Sequence, residues 1–179
     1  MKTKRRVNKP ITVTVTSPGV DELDASSGSS IKIDSGLDMP GAEMEISVSS
    51  GARIDINNIS AESIEGEASS GSALRIDGAK ATTMAYSTSS GSSMRVESIT
   101  AGSVTGKSSS GSSMGLSGTS KYVELRASSG SSLSGRSLVA ETGMLKSSSG
   151  ASVSGNVKGS CETVSYTHLR AHETGAYLV

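Results

Sequence analysis

The chain has 179 residues with no Trp, no Phe and four Tyr, which excludes a globular domain built around bulky aromatics and leaves small aliphatics to form any core. Seventeen basic residues balance seventeen acidic ones, so net charge provides no strong field to recruit nucleic acid or an anionic membrane. No run of about 18 apolar residues is present to span a bilayer.

The first twenty residues read as a lead-in. Lys2, Lys4, Arg5, Arg6 and Lys9 form the one basic cluster, but no apolar stretch follows, as a secretion signal requires. Instead Ile11, Val13 and Val15 alternate with Thr12, Thr14 and Thr16, the period of a half-buried strand.

From there to about residue 162 one phrase recurs. Ser-Ser-Gly appears seven times, ending at Gly28, Gly51, Gly71, Gly91, Gly111, Gly130 and Gly150. A period near 20 residues means one structural unit stacked on itself. Three residues after each glycine stands Ile31, Ile54, Leu74, Met94, Met114, Leu133 or Val153. Five after come Ile33, Ile56, Ile76, Val96 and Leu116, then Gly135 and Gly155. Seven and five before lie pairs such as Met44 and Ile46, Met84 and Tyr86, or Val123 and Leu125. Spacing by two is the strand period. A third pair falls between, at Ile59 and Ala61, Ala79 and Ala81, Ile99 and Ala101, Thr119 and Lys121, Leu138 and Ala140.

Each unit thus holds three short strands, none long enough to bury its apolar side alone. Stacking coil on coil pairs every strand with its counterpart one rung away. The expected fold is an all-β, right-handed parallel β-helix with about 20 residues per coil, its rungs about 4.8 Å apart. Ser-Ser-Gly becomes the corner: glycine accepts the positive φ of a tight bend, and stacked serines are placed to form hydroxyl ladders. The functional alternative is an exposed serine array that binds carbohydrate, ice or mineral.

Two intervals depart from the period. The first is three residues longer and includes Asp38, Met39, Pro40 and Gly41, predicting a loop that bulges from the rod. The interval from Gly111 to Gly130 is one residue short, expected around Thr119 to Tyr122.

Residues 163–179 stop obeying the repeat. Val164 to Thr174 is similar to the in-frame translation of a transposase adaptor used to prepare sequencing libraries, which marks this tail as non-native; a capping segment is the alternative. His168 and His172 lie in it, so discounting it leaves no histidine to act as a base or metal ligand. Cys161 is the one cysteine, and without a histidine partner it is a poor candidate nucleophile.

The remaining candidate chemistry is carboxylate. Asp34, Asp77 and Glu97 share one offset, six residues after their glycines, and are expected to stack on an outer face of the kind polysaccharide-cutting β-helices use. Arg75 and Arg95 stand two residues earlier, with Lys32 and Asp55 at equivalent places. Interleaved charge of this sort reads as a solvated surface that also blocks lateral sheet association. No catalytic, cofactor-binding or metal-ligating residue is assigned, and no cofactor is expected. Neither a phosphate-binding glycine loop nor a calcium-type glycine repeat is present.

The Ala-Ser-Ser-Gly-Ser blocks at 25–29, 68–72 and 127–131, with Val-Ser-Ser-Gly-Ala at 48–52 and the preceding Ile-Thr-Val-Thr-Val-Thr-Ser-Pro-Gly-Val-Asp-Glu-Leu-Asp, resemble the head GIN domain family of putative auto-transporter adhesins, typical of Bacteroidetes. The resemblance implies a secreted or envelope-associated β-helical domain, in the outer membrane or periplasm, that normally enters through a leader not seen here. It carries over no catalytic or ligand residue. The expected function is a non-enzymatic surface module contacting a host or matrix polymer, with a carbohydrate-active or polysaccharide-binding β-helix as the alternative.

Overall fold

The computed structural model describes residues 19–166. Ten strands and no helix occur among them: β1 (Glu22–Ala25), β2 (Ser30–Ile33), β3 (Leu37–Val48), β4 (Arg53–Ala68), β5 (Ala73–Thr88), β6 (Ser93–Ser108), β7 (Ser113–Ala127), β8 (Ser132–Ser148), β9 (Ser152–Val157) and β10 (Cys161–Tyr166). The lead-in strand with its basic cluster, and His168 and His172 of the tail, lie outside the described residues.

Every pairing is parallel, and strands from β3 to β8 each pair with the next in sequence. The chain is therefore a β-solenoid of about seven turns. Ile54 lies over Leu74, Leu74 over Met94, Met94 over Met114 and Met114 over Leu133, so each apolar column found by offset is one stack. Within a coil the ladder breaks twice: between β5 and β6 it runs over Ala73–Ile76, Ala79–Ala81 and Thr83–Thr88. Those breaks divide each long strand into the three short faces expected from sequence.

The inward columns form one continuous core. Ile46, Ile54, Ile76, Val96 and Leu125 are completely buried, and Met44, Ile64, Leu74, Met94 and Leu133 nearly so. Burying a side chain of this size stabilises by about 1.5–3 kcal/mol. No single coil could achieve this alone, because each strand's apolar side is covered from above and below by its neighbours' side chains.

The core also contains glycines at inward positions, and each is matched to a large neighbour. A Cβ on Gly66 would stand 2.8 Å from Tyr86 Cδ1, one on Gly135 would stand 2.8 Å from Leu125 Cδ1, and one on Gly155 would stand 2.9 Å from Leu145 Cδ2. Among the described residues Tyr86 is the one aromatic in the core, and it fits because Gly66 and Gly106 are its partners on the adjacent rungs.

The two irregular intervals differ from expectation in detail. The long interval does not project as one loop: one extra residue falls between Ile33 and Leu37, and two fall between Met39 and Glu43, where Pro40 to Ala42 face Glu62 alone. The short interval is not around Thr119 to Tyr122 but one bend earlier. Ile99 pairs with Gly118, so Glu97 and Ser98 face only Ser117. Gly118 takes φ +132° there, and a Cβ on it would lie 2.2 Å from the Ile99 carbonyl oxygen. As a result Gly118 and Ser120, rather than Thr119 and Lys121, occupy the inward columns.

Ladder pairing continues through β10, which lies on β8 from Gly143 to Ser148. The expected boundary at residue 162 falls inside this strand. Cys161, Thr163 and Ser165 there oppose Gly143, Leu145 and Ser147.

Candidate functional site: the outer faces of the rod

The Ser-Ser-Gly corner is a two-residue turn. In every copy the second serine has φ of 51–54° and the glycine 69–74°. Positive φ at both central positions is the signature of a type I′ turn, here bending the chain from one face of the coil to the next rather than closing a hairpin, since the flanking strands pair in parallel with neighbouring coils. The residue after glycine closes it, Ala52 N donating to Ser49 O at 3.0 Å and Ser92 N to Ser89 O at 3.1 Å. Successive corners are also joined, the Gly71 N–H donating to the Ser90 carbonyl and the Gly91 N–H to that of Ser110.

The serine that matters for structure is the one after glycine. Ser72, Ser92, Ser112 and Ser131 are buried, and their hydroxyls donate to the carbonyls of Val48, Ala68, Thr88 and Ser108 on the preceding coil at 2.7–3.0 Å. Each also accepts the N–H three residues earlier, from Ser69, Ser89, Ser109 and Ser128. Hydroxyl-to-hydroxyl contact is local: Thr88, Ser108 and Ser112 form one buried cluster. The corner is thus knitted mainly by serine-to-backbone bonds, with the first two serines of each phrase turned to the surface.

The acidic offset lies along one bend, with an asparagine between two of its acids. Asp34, Asn57, Asp77 and Glu97 stand on successive rungs at one bend, and Asn57 Nδ2 donates to the Asp34 carbonyl at 2.9 Å. Every carboxylate there is tied to the cation two residues before it: Asp34 to Lys32 at 2.7 Å, Asp77 to Arg75 at 2.7 Å and Glu97 to Arg95. Arg53 pairs with Asp55 in the same manner. The hydrogen bond to the acid, then its Coulomb attraction, raises the proton affinity of Lys32, Arg53 and Arg75. These pairs are solvent-exposed and contribute little to stability. They blunt the surface charge on a row of paired strands.

A second outer face carries charge at an offset outside the apolar and acidic columns. Four residues before their glycines, Lys107, Arg126 and Lys146 stand in register on β6, β7 and β8. They flank a groove whose other wall is the serine row of Ser109, Ser128 and Ser148. On the same face toward β1 stand Glu22, Asp24, Glu43, Glu45, Glu65 and Glu67, all exposed. Zero net charge therefore conceals a face that is acidic at one end and basic at the other. The signal was present in the sequence at an offset of minus four.

No group of three or more His, Cys, Asp or Glu residues suited to a metal ion occurs among the described residues, and no helix is long and apolar enough to cross a membrane. A parallel β-solenoid whose outward residues repeat once per rung belongs to the class of proteins that present an extended surface rather than an enclosed cleft. Residues 1–111 match the family described as putative auto-transporter adhesin, head GIN domain. The chain belongs to this family. No curated protein and no solved structure matches it.

Proposed function

We propose that the chain is a non-enzymatic, secreted or cell-surface β-helical module that adheres to a polymer through its outer faces. Family membership supports a putative adhesin head domain. The observation that carries the reading is the register itself: outward side chains recur in straight columns over seven turns, a geometry suited to many weak contacts with a repetitive partner. Residues 21–162, continued by β10 to Tyr166, supply that rod.

The carbohydrate-cleaving alternative requires two carboxyl groups aimed at one glycosidic bond. Asp34, Asp77 and Glu97 each bond back to Lys32, Arg75 and Arg95, which speaks against that role.

The test is adhesion and localisation together. Antibody against residues 21–162 should label intact cells that make the protein, and beads coated with the purified protein should be retained on a polymer matrix. Label confined to lysed cells, or depolymerisation of the matrix that is lost in a D34N/D77N/E97Q variant, would overturn the reading.

A further inference from the structure

We infer that the groove beside Lys107, Arg126 and Lys146 seats a linear anionic polysaccharide, its acidic groups on the cations and its hydroxyls on the serine row. The inference rests on the adhesive reading above and names the ligand class for it.

Three features converge on the groove. It is concave and runs along the rod axis over the rungs from Glu67 to Ser148, so it fits an extended chain and not a flat surface. Its cations are in single file on three successive rungs, because Lys107 pairs in register with Arg126 and Arg126 with Lys146. The rung spacing of about 4.8 Å repeats a cation along the groove floor at that interval, so an acidic chain lying along it meets positive charge wherever its carboxylates turn inward. Among the described residues Lys107 and Lys146 make no ion pair, while Arg126 is held by Glu124 on its own strand. Two of the three cations are thus uncommitted. The facing wall is hydroxyl, with Ser109, Ser128 and Ser148 each half-buried and spaced one rung apart, and the one lining carboxylate, Glu67, stands two rungs beyond Lys107, so an anionic chain is confined to the Lys107–Lys146 end.

Two other occupants fit less well. A nucleic acid strand needs aromatic platforms for its bases, and the residues lining the groove include none. A second copy of the chain, laid antiparallel, would bring its acidic end over the basic column. Its six carboxylates outnumber the three cations, and they lie on the outside of a sheet that does not enter a concave groove.

The experiment measures binding of polygalacturonate to the full chain at low salt, with dextran as the neutral control and oligo-deoxythymidine as the nucleic acid control. The expected result is polygalacturonate binding that a K107Q/K146Q variant weakens about tenfold or more, with the slope of log affinity against log salt reduced by about two. A K80Q/K158Q variant, which removes the same charge from elsewhere on the rod, should bind as the wild type does. Circular dichroism checks that both variants fold. Equal loss in both variants, equal binding of dextran, or preference for oligo-deoxythymidine overturns the inference. So does a concentration-dependent dimer in sedimentation that K107Q/K146Q abolishes while polygalacturonate fails to bind. If coated beads still adhere to a matrix with K107Q/K146Q in place, this inference fails and the adhesive reading stands. If purified protein binds polygalacturonate but never reaches the cell surface, the reverse holds.

Discussion

Tyr86 occupies the space that Gly66 leaves empty on the rung below, with Cδ1 and Cε1 at 2.8 and 3.1 Å from where a Cβ on Gly66 would stand. The ring is completely enclosed, and its hydroxyl reaches only Met84 Sδ, at 3.5 Å. Large against absent side chain is how an otherwise aliphatic stack accommodates one aromatic. Gly66→Ala should destabilise by about 1–3 kcal/mol through overpacking, and Tyr86→Ala by about 3–5 kcal/mol through the cavity. Urea denaturation of Gly66→Ala in a Tyr86→Leu background should show a smaller cost than in the wild type. Additive costs would mean the two residues do not share the space.

The same burial makes stability fall at alkaline pH. Desolvation raises the Tyr86 phenol well above its ordinary value. Below about pH 10 both folded and unfolded chains keep it protonated, so nothing is lost. Above that, the unfolded chain releases the proton and the folded chain does not, and stability declines by about 1.4 kcal/mol per pH unit. Ultraviolet absorbance should show one phenol ionising only together with loss of the β-sheet dichroism, and Tyr86→Leu should remove that step.

Ser120 sits in the inward column filled by Ala101 and Ala140 on the adjacent rungs, and its buried hydroxyl has no hydrogen-bond partner. An unsatisfied buried hydroxyl costs about 1–3 kcal/mol. Ser120→Ala should therefore raise the midpoint of thermal unfolding, as followed by circular dichroism.

At the corners, backbone geometry is separable from packing. Gly91 has φ +71° and open space around it, so Gly91→Ala should cost about 1–2 kcal/mol from left-handed strain alone. Ser90, at φ 51°, is the first central residue of the same turn, where asparagine is favoured. Ser90→Asn should be neutral or stabilising in urea denaturation.

Hydroxyl bonding at the corner has an internal control. Ser92→Ala removes the bonds to Ala68 O and Ser89 N, whereas alanine already stands at the equivalent Ala52 and Ala151. A loss of about 1 kcal/mol is expected, and the corner should persist because the backbone bonds from Gly91 and Ser92 remain. Retained dichroism with a modestly lower unfolding midpoint checks this.

Much of the fold was legible because a stacked repeat writes its inward columns directly into the sequence at fixed offsets. Ile54, Leu74, Met94 and Leu133 could be placed in one stack by counting from glycine. Counting failed at Gly118 and Ser120, because a single-residue deletion can sit at either of two bends, and only the positive φ of Gly118 against the Ile99 backbone marks which. The Gly66–Tyr86–Gly106 column shares one offset and was legible, whereas Gly135 against Leu125 and Gly155 against Leu145 meet across the corner of a single coil, which counting along the sequence does not give. Asp34, Asp77 and Glu97 share an offset that sequence displays, but their pairing with Lys32, Arg75 and Arg95 follows from rotamers that sequence does not specify. The basic column was missed through the opposite error: net charge averages over a rod whose faces are separate.

The fold depends above all on one coil per Ser-Ser-Gly, stacked in register. Electron–electron distance measurements between spin labels test this directly, with Ala73→Cys paired in turn with Ser132→Cys and Ser152→Cys in a Cys161→Ser background. These positions share one column, since Ala73, Ser93, Ser113, Ser132 and Ser152 pair in succession. In-register stacking predicts separations near 14 and 19 Å, for three and four rungs of about 4.8 Å each. Broad distributions, or separations that do not lengthen by one rung between the two pairs, would contradict it.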